Sequence, residues 1–273
     1  MAFGDLVGTV KLNHSAAAVT ELRATLDDTP VVGNLIVAVG MTGAAALVPM
    51  TGMSEAQAMT DGPNADEGGI HYRVVEEGDG TSWGCDSGAA DEMGIVVFQI
   101  EGPFAAAPLD KTAVDGPSDG GAQPQTTGTT ATTAQNDEIA IVAAMARDDK
   151  SRDLVGTATW SESFVQLGGQ SAYKYKQVNA GGKVLTATGA IVSACTYGET
   201  PADDTMGCIA TFMKEAAGGD PDPGVDSATL AESTVLTQAH SPTASDTATL
   251  TGTGSVSAVD VTSYTLEIVS DFV

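Results

Sequence analysis

Positive charge is scarce in this chain. Lys and Arg total 11 against 36 Asp and Glu, which leaves a formal charge of -25 and a pI near 4.1. A groove that follows a phosphate backbone needs clustered cations, so nucleic acid and anionic membrane surfaces are not expected partners. Cysteine is equally sparse. Cys85, Cys195 and Cys208 are an odd number without CxxC spacing, which fits buried thiols in a reducing compartment better than a disulfide framework, although Cys195 and Cys208 could face each other across a hairpin. The three histidines, His14, His71 and His240, have neither the i, i+4 spacing of a zinc helix nor cysteines beside them, so no zinc site can be drawn. No run of 18 apolar residues offers a membrane-spanning helix. Met1-Ala2-Phe3-Gly4-Asp5 lacks the basic and apolar segments of an export signal, so synthesis without export is expected. No stretch of a dozen residues carries an apolar repeat at helical spacing, and 32 glycines work against helix throughout.

What the chain does have is an internal echo. Gly33-Asn34-Leu35-Ile36-Val37-Ala38-Val39 returns as Asn136-Asp137-Glu138-Ile139-Ala140-Ile141-Val142, about 103 residues on. Tyr72-Arg73-Val74-Val75 returns as Tyr175-Lys176-Gln177-Val178 at the same offset. Met93-Gly94-Ile95-Val96-Val97-Phe98 returns near Met206 to Phe212 at about 113, so the second copy carries about ten extra residues before its last strand and Cys208 takes the place of Ile95. Landmarks in constant order point to a duplicated β-unit.

Short β-branched runs between clusters of Gly, Asp, Pro, Thr and Ser predict strands over 6–12, 19–25, 35–41, 70–75, 94–100, 126–133, 139–146, 172–178, 190–196 and 208–214. Met53 to Met59 allows one turn of helix at most. Leu35 to Val39 and Ile139 to Val142 are continuously apolar, the pattern of central strands covered on both faces. The expected architecture is all-β: a jelly-roll-like β-sandwich built from two pseudo-repeats over residues 1–215, with copy one about 5–102, a crossover at 103–125 rich in Pro, Gly and Asp, and copy two about 126–214. Residues 216–225 read as a linker. Residues 226–273 read as a C-terminal β segment, apolar at Val256, Val261, Leu266 and Ile268, too small to fold alone and expected to dock on the body or on a neighbouring subunit.

This order of elements, repeated once, resembles the duplicated β-sandwich units of structural proteins of tailed phages, especially minor tail and fibre-like proteins, over residues 5 to 214. In that family the first strand is followed by a Pro-Ala-Gly-Trp-Thr turn; Trp160-Ser161-Glu162 is similar in the second copy, and Met53-Ser54-Glu55 stands in the first. The resemblance implies a virion component, made in the host cytoplasm and assembled with copies of itself and other virion proteins through strand edges. It leaves open a tail or fibre component and a capsid decoration protein.

Motifs that could carry chemistry are few. Gly116-Pro117-Ser118-Asp119-Gly120 fits G-x-S-x-G, but a nucleophile elbow needs a following helix, and this stretch reads as linker. Asp220, Asp222 and Asp226 space carboxylates as a Ca²⁺ loop would, yet the closing Glu is replaced by Ala231 and two prolines stiffen the segment, so an acidic linker is the plainer reading and no cofactor is expected. Asp148, Asp149, Asp153, Asp203 and Asp204 read as solvated turns. No paired acid and base can be placed, so no enzyme is expected. Trp83, Trp160, Tyr173 and Tyr175 could stack on sugar rings, which opens a glycan-binding alternative with loops such as 184–201, although core packing accounts for aromatics on strands equally well. Lys174 and Lys176 flank Tyr175 to form a basic-aromatic patch suited to an acidic neighbouring subunit.

Overall fold

The two longest apolar runs become the centres of two sheets. The computed structural model describes residues 1–15, 17–43, 45–60, 67–118, 123–147, 158–172, 176–198 and 204–215; the expected linker and C-terminal segment lie outside the described residues. The first half supplies β1 (Leu6–His14), β2 (Val19–Thr25), β3 (Leu35–Thr42), β4 (Leu47–Pro49), β5 (Ser54–Thr60), β6 (Glu67–Val74), β7 (Ser82–Asp91) and β8 (Met93–Ile100). The second supplies β9 (Phe104–Ser118), β10 (Gln125–Thr126), β11 (Glu138–Arg147), β12 (Thr159–Trp160), β13 (Val165–Ala172), β14 (Lys176–Leu185), β15 (Ala194–Thr196) and β16 (Thr205–Lys214). Among the described residues there is no helix.

Pairing is nested. β1 joins β8, β2 joins β7 and β3 joins β6, all antiparallel. A chain paired in this way is one long hairpin rolled over on itself, which makes each half a jelly-roll-like sandwich. The second half repeats it, with β9 on β16, β10 on β15 and β11 on β14. Each half has a five-stranded sheet, β1-β8-β3-β6-β5 or β9-β16-β11-β14-β13, and a three-stranded one, β2-β7-β4 or β10-β15-β12.

These sheets stack as four layers with the five-stranded pair inside. Leu35, Val37 and Phe98 of one five-stranded sheet meet Ile141, Met145 and Phe212 of the other in a shared core. On its other face the first sheet packs Ile36, Ile95 and Val97 against Leu22 and Trp83. The second packs Val142 and Ile209 against Phe164, and Ala144 and Ala146 against Cys195 and Tyr197. Both faces of β3 and β11 are therefore covered, which is why neither alternates apolar with polar.

The halves share a strand order, but their residues do not match at the offsets of the sequence echoes. Gly33 and Asp137 both take positive φ at the entry to the central strand, and both donate their N–H to the end of the neighbouring strand, at Val75 O and Leu185 O. Leu35 faces Val74 and Ile100; Ile139 faces Val184 and Phe212. The equivalences are thus Leu35 with Ile139, Val74 with Val184 and Ile100 with Phe212, at offsets of 104, 110 and 112. Tyr72 corresponds to Gly182, not Tyr175, and Cys208 corresponds to Val96, not Ile95. Cys208 accordingly lies in the shared core, whereas Ile95 faces the outer one.

Other expectations are corrected. The crossover at 103–125 holds β9, a 15-residue edge strand, so the second half begins at Phe104 and not near 126. Pro108 and Pro117 disguise it, and an edge strand with three register shifts accommodates them. Ser54–Thr60 is strand β5 and not a turn of helix. The span 172–178 is divided between β13 and β14, and β4, β7 and β12 are additional to the expected strands.

The threonine run predicted as a strand over 126–133 is strand only at Gln125–Thr126. Beyond that it has a period of three. Thr127, Thr130 and Thr133 are buried, their N–H groups donate to Ser193 O, Ile191 O and Gly189 O, and their hydroxyls accept the N–H groups of the same three residues at 2.9–3.2 Å. Side-chain oxygens here replace the carbonyls of a ladder. Thr130→Val keeps the shape but leaves the Ile191 N–H without its acceptor, so a loss of about 1–3 kcal/mol is expected in denaturant unfolding, while Thr129→Val, one residue away, should be near neutral.

Candidate functional site

Trp83 does not present a ring to a ligand. It is 4% exposed inside the outer core of the first sandwich, and its Nε1 donates to Gly80 O at 2.8 Å. Trp160 is half-buried between the sheets of the second half, where Nε1 donates to Gln166 Oε1 and the ring lies over Gly181, a position at which a Cβ would collide with it. Gln166 in turn donates to Gly168 O at 2.6 Å and to Asn179 Oδ1 at 3.3 Å. This is an internal strut more than a sugar platform. Tyr173, Lys174 and Tyr175 lie outside the described residues. Lys176 opens β14 opposite Arg147 and Ala172, with its side chain not described.

The few cations that are described hold loops and edges. Arg73 grips Asp79 through Nε at 2.8 Å and Nη2 at 3.0 Å, donates to Gly52 O at 2.8 Å and reaches Glu76 at 3.1 Å, so one residue ties the ends of three segments. Its bond to the Asp79 carboxylate holds that acid below the usual range. Arg23 pairs with Asp86 and donates to Cys85 O; Lys11 pairs with Asp27. Lys183 donates to Glu162 O at 2.7 Å, and the Lys214 ammonium lies over the Phe3 ring.

The buried polar groups that sequence spacing missed are more telling. His71 of β6 and Cys85 of β7 meet inside the first sandwich, Nδ1 to Sγ at 3.3 Å. This Cys–His contact has the outline of a nucleophile and its base but not the chemistry: burial pushes the thiol up to about 12 and the imidazole down to about 4, so both stay neutral and no thiolate is formed. Cys195 matches Cys85 in position, each at the centre of a three-stranded sheet, paired with Gln125 and Trp160 in one half and Leu22 and Pro49 in the other. All three cysteines are free and buried, and Cys195 and Cys208 belong to different cores. His71 shares its face of β6 with Glu67, Gly69 and Arg73, so the alternation of this strand gave no signal of its burial.

Among the described residues no group of three or more His, Cys, Asp or Glu is placed to hold a metal, and Asp220, Asp222 and Asp226 lie outside them. Gly116 to Ser118 end β9, so the G-x-S-x-G match begins on an edge strand; Asp119 and Gly120 lie outside the described residues. The described surface shows large exposed apolar side chains at Val31 (53%), Val32 (63%) and Val165 (65%). Val165 heads the edge strand β13, and β1, β5 and β9 are the other outermost strands of the two large sheets.

Fold and surface together define an all-β scaffold of two joined jelly-roll-like sandwiches. No protein-family model, no curated protein and no solved structure matches this chain.

Proposed function

We propose that the protein is a structural component of a tailed-phage virion, assembled into the tail or the particle surface through β-mediated contacts with its own copies and with other virion proteins. The observation that carries this reading is the disposition of the strands. The polar and cationic groups described above are engaged in holding the scaffold together, while outermost strands such as β13, with Val165 exposed at its head, are left as surfaces on which another chain can pair. Jelly rolls recur in particle shells because a rolled hairpin offers rigid faces and edges for symmetric packing. The acidic surface fits partners other than nucleic acid.

A glycan-binding role draws less support. Of the aromatic residues it would use, Trp83 is buried and Trp160 has its N–H engaged.

The test is localisation and self-association. Antibody labelling or density should place the chain on a purified particle, in the tail, the fibre or the capsid surface, and the isolated protein should associate as its concentration rises. A protein that stays monomeric at high concentration and labels no particle overturns the proposal.

A further inference from the structure

The second sandwich buries two acids against each other. Glu138 opens β11 and is wholly buried; its Oε1 accepts the Gln135 N–H at 3.2 Å, while Oε2 has no donor. The Asp110 side chain of β9 is set beside it: the consecutive N–H groups of Ala134 and Gln135 donate to Asp110 and to Glu138 in turn, and Asp110 acts electrostatically on Glu138. Asp110 accepts the Lys111 ammonium at 2.6 Å and the Ala134 N–H at 2.6 Å. Thr211 of β16, opposite Asp110 and Lys111, accepts the Lys111 N–H through Oγ1 at 3.1 Å.

A bulge lies beside this pair. Leu109 pairs with Phe212 and Thr112 with Ala210, so Asp110 and Lys111 together oppose Thr211. Leu109 packs on the shared core, so alternation turns Asp110 to the other face of the sheet, and the extra residue lets Lys111 share its place opposite Thr211. Among the described charged groups, Lys111 faces Asp110, the Lys214 ammonium lies over Phe3, and Asp137 is exposed in the turn before β11.

Two carboxyl groups in contact and out of water cannot both ionise without strong repulsion. One proton placed on Glu138 Oε2 and donated to Asp110 satisfies both. We propose that Asp110 and Glu138 share a single proton that latches the edge strand β9 to the interior of the second sandwich, and that its loss at rising pH loosens β9. Burial first, and then the neighbouring Asp110, raises Glu138 above the usual range. Burial also works upward on Asp110, but Lys111, the Ala134 N–H and the bond from Glu138 outweigh it and hold Asp110 low. A raised folded-state value means stability that is complete below the ordinary glutamate range and is lost as pH climbs through the raised value. In a virion component this would make one sheet edge responsive to alkalinity.

The experiment follows amide exchange in the full chain, expressed as protection factors so that the intrinsic pH dependence cancels. As pH rises, protection along β9 should fall by about tenfold for each unit by which the Glu138 titration is raised, while that of β11 holds. Glu138→Gln donates an amide proton at every pH, so β9 should keep its protection throughout. If that variant does not fold, the carboxyl ¹³C resonances of the wild type decide: Glu138 must titrate above the ordinary glutamate value and Asp110 below the ordinary aspartate one. Titration of Glu138 at or below its ordinary value, or a Glu138→Gln variant that follows the wild-type slope, overturns the latch.

Discussion

Replacing Phe212 with alanine should cost about 3–5 kcal/mol, the largest loss expected from any single side chain here. Phe212 is fully buried in the core shared by the two five-stranded sheets, and its ring meets Tyr72 of the opposite half edge-on at 5.1 Å between centroids. Truncation removes apolar contact from both sheets and leaves a void that close-packed strands cannot collapse to fill. Against a typical stability of about 5–15 kcal/mol, such a loss would bring the chain near its unfolding threshold. Because the residue bridges the halves, both should weaken together. Denaturant unfolding would show a lowered midpoint with the two halves still melting in one transition. Val32→Ala, at a position 63% exposed, serves as the control and should move the midpoint little. A loss under about 1 kcal/mol for Phe212→Ala would mean that the seam between the sheets is not what joins them.

Acid should destabilise the first sandwich through His71. Burial, opposed only in part by the charge of Asp86, lowers this imidazole to about 4 from an ordinary value of 6.5. Between those two values the unfolded chain takes up a proton that the folded chain refuses, so stability is complete above about pH 6.5 and falls as pH drops toward 4. The shift corresponds to about 3 kcal/mol once the pH is below both values. His71→Met keeps an apolar filler beside Cys85 and removes the titrating group. Its stability profile should therefore be flatter than that of the wild type between pH 6.5 and 4. Carboxylates titrate in both proteins, so the difference between the two profiles isolates the histidine. Parallel profiles would sink the assignment.

Much of the fold was legible in the residues. The apolar runs at Leu35 and Ile139 marked the central strands of both large sheets, because only a strand covered on both faces can do without a polar side. That same property hid the register. An alternating strand betrays its inward face, whereas a strand apolar on both faces matches its echo almost as well when slipped by one residue, and a one-residue slip reverses every side chain. Hence the echo sets Cys208 against Ile95, which looks outward, when its true counterpart is Val96, which looks toward the other half. The edge strand β9 was hidden for a different reason. Its prolines and aspartates are the residues of a linker, and what makes them a strand is the row of backbone groups that β16 offers.

The candidate groups divide in the same way. Local composition determined that this chain is strand-rich, poor in cations and without a disulfide framework, because each of those follows from residue type and spacing alone. Only the tertiary structure decided that His71 would lie against Cys85, that Trp83 would be buried, and that Asp110 would come beside Glu138. Those contacts join residues that no periodicity links, since they depend on which strands become neighbours when the hairpin rolls up, and that is settled by the packing of the whole.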